Sequence, residues 1–364
     1  MKIKEVLNAL EKFAPLPLQD GFDNAGLQIG LTDVEVTGAL LSLDVTEAVI
    51  DEAIELGYNL IIAHHPLLFK GYKSITGKDY VERCILKAIK NDIVVYAAHT
   101  NLDNAPQGVN YKIASILELE NVRILSAKDN QLSKLVTFVP SKHAGEVRKA
   151  LFEAGCGSIG NYDFCSYNVE GEGTFRANND ANPFAGQKGE LHYEKETRIE
   201  TIFPNYKASS IISALLKAHP YEEVAYDIYP LSNTWQQVGA GVIGTLPKPV
   251  SSFEFLKEIK QKFKVGCVLH NCSVDRDIQR IALCGGAGSF LIPTALGQSA
   301  DLFLTGEIKY HDFFGYDNKI ILAAIGHYES EQYTNNLLFD YLKECFPKLK
   351  TIISTVNTNP IKYL

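Results

Sequence analysis

Adjacent histidines at the end of an apolar run are candidate metal ligands, and this chain has such a pair in Ile61-Ile62-Ala63-His64-His65-Pro66. Neighbouring side chains on an extended backbone point in nearly opposite directions. The pair suits two ions on either side of the chain better than one. A second apolar run leads into His99-Thr100-Asn101-Leu102-Asp103, and a third into Gly326-His327-Tyr328-Glu329-Ser330-Glu331. His327 and Glu331 stand four apart at a helix start, so they share a face. Each segment alone has a bland reading, as a hydrogen-bonded histidine pair, a turn-forming aspartate, or a solvated pair at a helix N-terminus. From them His64, His65 and His327 with Asp103 and Glu331 make three histidines and two carboxylates, enough for two divalent ions bridged by Glu331. Mixed imidazole and carboxylate ligation suits Zn, Mn, Fe or Ni better than Ca or Mg.

Three further segments could serve the same chemistry. Thr305-Gly306-Glu307 with Lys309, Tyr310 and His311 ends another apolar run, so Glu307 and His311 could line the cleft as acid–base groups, as could His99. Cys284-Gly285-Gly286-Ala287-Gly288-Ser289 reads either as a phosphate cradle or as a tight strand-to-helix turn. Asp23-Asn24-Ala25-Gly26 is a polar turn with no evident role. No P-loop, dinucleotide fingerprint or serine triad is legible.

The elements that must position these residues alternate. Gly38 to Leu43, Asn59 to Ala63 and Ile93 to Ala98 read as apolar strands. Helical patterns occupy Thr46 to Leu56, Asp79 to Ile89 and Gly108 to Leu117. The grammar returns after Phe253, with strands at 281–284, 301–304, 320–325 and 351–356 and a helix from about Glu329 to Cys345. Continuous apolar strands separated by helices predict mostly parallel sheets covered on both faces. The expected fold class is therefore α/β, a three-layer core in two similar halves. Between the halves the order β-α-β-β-α-β predicts a ferredoxin-like inserted domain. Its central strands are separated by a polar stretch, Gly171 to Lys188, that reads as a loop. The expected domains are 1–128, 129–233 and 234–364.

Bulk properties narrow the function. Acidic residues outnumber lysine and arginine by 43 to 35, for a net charge of −8, which disfavours nucleic-acid wrapping. Seven cysteines without a C-x-x-C spacing read as reduced. No apolar run approaches the ~20 residues of a membrane span. Met1 leads straight into an amphipathic pattern, Ile3, Val6, Leu7, Leu10 and Phe13, without a signal-peptide h-region. The expected location is the cytoplasm.

Phe22-Asp23-Asn24-Ala25-Gly26-Leu27-Gln28-Ile29-Gly30, Ala63-His64-His65-Pro66, His99 to Asp103, Thr305-Gly306-Glu307 and Gly326-His327 with Glu331 occur in order. Over Met1–Lys128 and Trp235–Leu364 the chain resembles the Ngg-interacting-factor-three-like family, often called GTP cyclohydrolase 1 type 2 homologues. Phe22 stands where that family often has Trp. The inserted His219-Pro220-Tyr221-Glu222-Glu223 and Ala225-Tyr226-Asp227 are similar to PII- and CutA-like folds. The resemblance implies a dinuclear site, with His65 and Asp103 on one ion, His64 and His327 on the other, and Glu331 bridging. It also implies a toroidal homohexamer and metal-assisted hydrolysis of a nucleotide or similar small molecule, with His311, Glu307 or His99 moving protons. The alternative is a metal-binding regulatory or assembly protein without turnover that uses its insert, where His219, Glu222 and Glu223 could form an effector patch.

Overall fold

A computed structural model of the chain describes residues 1–362 and 364. It shows a mixed α/β fold with several sheets, in two compact units: Met1–Ala127 with Gln237–Leu364, and Lys128–Gln236.

In the first unit, a five-stranded sheet runs in the order Gly26–Ile29, Val94–Ala97, Leu60–Ala63, Ala39–Ser42, Thr351–Ile353. The last four are parallel, and Gly26–Ile29 joins antiparallel. Leu60–Ala63 and Val94–Ala97 are buried at every position, which explains their unbroken apolar sequences. Helices Glu47–Leu56 and Tyr80–Lys90 cover them, packing Val49, Ile50, Cys84 and Ile85 with Leu40, Ile61 and Val95. Each such side chain contributes about 1.5–3 kcal/mol by leaving water. Both helices are capped from sequence: Thr46 accepts the Val49 amide at 3.3 Å and Asp79 accepts the Glu82 amide at 2.8 Å.

The second sheet runs Leu269–His270, Ile321–Ala324, Leu302–Thr305, Asp277–Cys284, Trp235–Ser251, Glu120–Lys128. Its three central strands are parallel, while Trp235–Ser251 and Leu269–His270 join antiparallel. Trp235–Ser251 and Glu120–Lys128 escape the sequence reading. The former carries four glycines or prolines between Gly241 and Pro249, and its register shifts between Thr245 and Val250. The expected helix from Glu329 to Cys345 is two helices, His327–Glu331 and Thr334–Cys345. At the break, the Gln332 amide group and the Tyr333 hydroxyl donate to the carbonyls of Phe263 and Lys262.

The unit Lys128–Gln236 holds a four-stranded antiparallel sheet in the order Tyr167–Phe175, His192–Pro204, Leu132–Pro140, Tyr226–Leu231. Helices Ala144–Glu153 and Ala208–Ala218 pack Val147, Leu151, Ile211 and Leu215 with Leu135, Ile199 and Phe203. The expected loop from Gly171 to Lys188 begins later: Gly171–Phe175 pairs with His192–Glu196. Its glycines and glutamates hide the strand from composition alone.

Candidate metal centre

Three strands deliver the candidate ligands. His64 and His65 follow Leu60–Ala63, His99 and Asp103 follow Val94–Ala97, and His327 and Glu331 occupy the helix after Ile321–Ala324. All lie just beyond the carboxyl ends of parallel strands, where open α/β sheets place ligands.

The five residues converge around one carboxylate. Glu331 Oε2 lies 3.0 Å from His65 Nε2 and 3.2 Å from His327 Nε2, and those two nitrogens are 3.3 Å apart. Glu331 Oε1 lies 3.7 Å from His64 Nε2, which is itself 3.7 Å from Asp103 Oδ1. Each trio, His65–His327–Glu331 and His64–Asp103–Glu331, offers donor atoms within 4.8 Å of one another. The side chains group differently from the expected partition. His64 shares a group with Asp103, and His65 with His327. The adjacent histidines do not point apart: their rings lie 5.0 Å from each other, and each turns toward a different oxygen of Glu331.

Orienting hydrogen bonds fix the imidazoles. His64 Nδ1 donates to the Ala98 carbonyl at 2.7 Å, which leaves Nε2 as a lone pair facing Asp103. His65 Nδ1 donates to Asp44 Oδ1 at 2.8 Å, and His327 Nδ1 to Glu307 Oε1 at 3.0 Å. Thr358 in turn donates to Asp44 Oδ2 at 2.5 Å. Carboxylates behind imidazole ligands raise their basicity and hold their rings. Sequence reasoning missed Asp44, because it lies 21 residues from its partner with no motif around it.

His64 Nε2 and Asp103 Oδ1 are buried polar atoms without a hydrogen-bond partner. Such orphans are costly, and a cation between them is the chemistry that would satisfy both. Proton affinities say the same. Burial drives the His64 pKa down, keeping a neutral imidazole. Burial and the Glu331 charge drive the Asp103 carboxyl well above its usual range. Glu331 resists its own burial because its bonds to His327 and His65 hold it ionised. Burial opposes a charge on His65, but Asp44 and Glu331 pull its pKa up to about 10. His327 is raised chiefly by its bond to Glu331.

The other expected groups divide. His99 lies beside the cluster, its ring 5.3 Å from that of His64, and its Nδ1 donates to Asp23 at 2.7 Å. Burial would raise the Asp23 carboxyl, but His99 and Thr100 hold it down at about 2. The polar Asp23 turn thus gains a role. Glu307 reaches the site through His327. His311 is not among the residues lining that site: it is exposed, edge-on to Tyr310 and tilted against Phe314 in the short turn Tyr310–Phe313.

The glycine-rich segment is a turn and not a phosphate cradle. The Gly285, Gly286 and Gly288 amides donate to Asn110 Oδ1, Ser330 Oγ and Thr305 Oγ1, each at 2.9 Å. Its glycines are needed for close approach, since a Cβ on Gly286 would meet Glu331 Oε1 at 2.3 Å.

A cavity of roughly 490 Å³ opens onto the cluster, with Phe22, Phe69 and Phe290 as exposed walls. No lysine or arginine lines it among the described residues, and Asp103 and Glu331 are among its acidic lining residues.

Fold and site together define an α/β protein with a candidate histidine–carboxylate metal centre. A family model described as Duf34/NIF3 (NGG1p interacting factor 3) matches residues 1–360. Proteins of Halalkalibacterium halodurans and Bacillus subtilis, each named GTP cyclohydrolase 1 type 2 homolog, are 37% identical over 368 residues. Each alignment covers 99% of this chain and 98% of the relative. The crystal structure of a Bacillus cereus protein related to NIF3 superposes with a TM-score of 0.86 at 37% identity, covering 100% of this chain and 99% of that one. This chain belongs to the Duf34/NIF3 family. No helix among the described residues is long and apolar enough to cross a membrane.

Proposed function

We propose that the cluster binds two divalent ions, one on His64 and Asp103 and one on His65 and His327, with Glu331 shared. The carrying observation is the orphaned pair His64 Nε2 and Asp103 Oδ1 beside a carboxylate whose two oxygens face different ligand groups. Zn, Fe, Mn and Ni fit this donor set. We further propose a metal-dependent hydrolase acting on a small molecule with a planar ring, such as a nucleotide, in keeping with the name its relatives carry. Bound there, two ions would supply Lewis acidity toward a substrate oxygen and ease deprotonation of water. The chain's own residues do the rest. Phe22, Phe69 and Phe290 offer faces for a ring. Asp23 holds Nδ1 of His99, leaving Nε2 to take or give a proton in the cleft. Glu307 orients His327.

The finer architecture belongs to the same reading. The strand order of Lys128–Gln236, with its two helices on one face, supports a ferredoxin-like insert between two similar halves of the core. A homohexamer working in the cytoplasm is the assembly and setting we infer for the chain. A second reading, a regulator without turnover, is favoured by the large cavity in the insert. His219 cannot serve it as a ligand group, because Nε2 donates to the Phe138 carbonyl and Nδ1 accepts the Tyr221 amide.

The test is a nucleotide panel incubated with metal-loaded wild type and His99→Gln. Turnover by wild type, lost in His99→Gln with both ions retained, supports the hydrolase. Metal-loaded wild type that turns over nothing favours the regulator.

A further inference from the structure

The inserted unit has its own cavity of roughly 830 Å³, well within the size of small-molecule sites. It lies on the sheet face opposite the two helices. Along His192–Pro204 the odd-numbered residues Thr197, Ile199, Thr201 and Phe203 are buried, and Ile199 and Phe203 pack with the helices. The even-numbered Glu196 and Arg198 therefore face the cavity.

Three aromatic rings gather there. Tyr221 stands 5.8 Å from Phe175 and 6.2 Å from Phe184, at steep angles of 64° and 50° that make a corner and not a stack. Tyr221 is held in place: His219 accepts its amide at 3.1 Å, and its hydroxyl donates to Glu196 Oε1 at 2.8 Å. Glu196 makes no ion pair among the described residues, so Oε2 keeps its lone pairs for a donor. Gly173 makes room for that carboxylate, since a Cβ there would fall 2.1 Å from Glu196 Oε2. The loop closes over the site where the Asn182 amide donates to Glu222 Oε1 at 2.7 Å.

Charge decides what fits. Glu172, Asp180, Glu196, Glu222 and Glu223 line the cavity against Arg176 and Arg198. The Arg198 guanidinium already pairs with Glu200 at 2.9 Å, which leaves Arg176 against the five carboxylates. An aromatic corner beside an unpaired carboxylate favours a cation with an apolar body. We propose that this cavity is a binding site, separate from the metal centre, for a small organic cation: a primary ammonium, amidinium or guanidinium on a hydrocarbon or aromatic body. Its N–H groups bond Glu196 Oε2, and its apolar body packs in the corner of Phe175, Phe184 and Tyr221. Such a site would let a metabolite bearing an amine act on the protein independently of its chemistry at the metals.

Phenethylamine, charged at neutral pH, is the probe, with phenethyl alcohol and 3-phenylpropionate as neutral and anionic counterparts. Titration calorimetry on the full-length protein is expected to show saturable binding of the amine, about one per chain, and at least roughly tenfold weaker binding of the other two. Glu196→Gln and Phe184→Ala should each weaken the amine by roughly tenfold while metal content stays at the wild-type level. Phe184 is 55% exposed, so that variant remains decisive even if Glu196→Gln misfolds. The proposal is overturned if the amine fails to saturate by about 10 mM. It is equally overturned if 3-phenylpropionate binds as well, or if a folded variant of either residue binds like wild type.

Discussion

Replacing Gly286 by alanine perturbs the shape of the metal cluster without removing any donor. Its backbone sits at φ +61°, and a Cβ there would lie 2.3 Å from Glu331 Oε1 and 3.3 Å from His327 Cε1. Comfortable non-bonded contact is nearer 3.5 Å, so the carboxylate must retreat by about 1 Å. The left-handed backbone adds about 1–2 kcal/mol of strain for a residue with a Cβ. Gly57 provides the control. It sits at φ +68° as the cap of helix Glu47–Leu56, with nothing within 4 Å of its Cβ position. Gly57→Ala therefore carries the strain without the collision. Both variants should lose about 2–4 °C in Tm per kcal/mol. Only Gly286→Ala should lose metal affinity, by about 10–100-fold in competition with a chromogenic chelator, because Glu331 serves both groups. Equal metal binding by Gly286→Ala and wild type would refute the reasoning, as would an equal loss in Gly57→Ala.

Two further outcomes follow from the same geometry. Asp44→Asn removes the charge behind His65, so metal affinity should fall by about 10–100-fold with little change in Tm, and a wild-type affinity would show that Asp44 plays no part. Glu82 accepts from the Thr76 and Lys78 amides and the Thr76 hydroxyl, which hold its carboxyl at about 2 against an ordinary 4.5. Because the folded value is depressed, ionised Glu82 contributes stability that is full above about 4.5 and is lost as pH falls toward about 2. Urea midpoints should therefore decline less steeply in Glu82→Gln than in wild type over that window, and parallel declines would contradict the assignment.

The convergence of the candidate ligands was legible because each sits next to a strand that sequence marks unmistakably. Leu60–Ala63, Val94–Ala97 and Ile321–Ala324 are apolar without interruption, and the loops just past the carboxyl ends of such strands are where open α/β sheets place ligands. The groups that tune them were not legible. Asp44 and Asp23 act across 21 and 76 residues, and Asn110 reaches the Gly285 amide across 175. Nothing local distinguishes them from surface carboxylates and amides. The four-residue spacing of Glu307 and His311 does not place them together, because the chain there makes a short 3-10 turn, Tyr310–Phe313. Trp235–Ser251 was hidden by glycines and prolines whose conformational demands are met by a register shift. The exchange of His64 and His65 between the two groups lay beyond sequence altogether, because it depends on which oxygen of Glu331 each ring meets.

Elemental analysis of the reconstituted wild type and of Glu331→Ala, after removal of loosely held metal, tests the central claim most directly. The arrangement predicts about two divalent ions per wild-type chain and a sharp fall in Glu331→Ala, since the shared carboxylate touches both groups. A wild type that retains no more than trace metal, or a Glu331→Ala protein that still holds two ions, would contradict it.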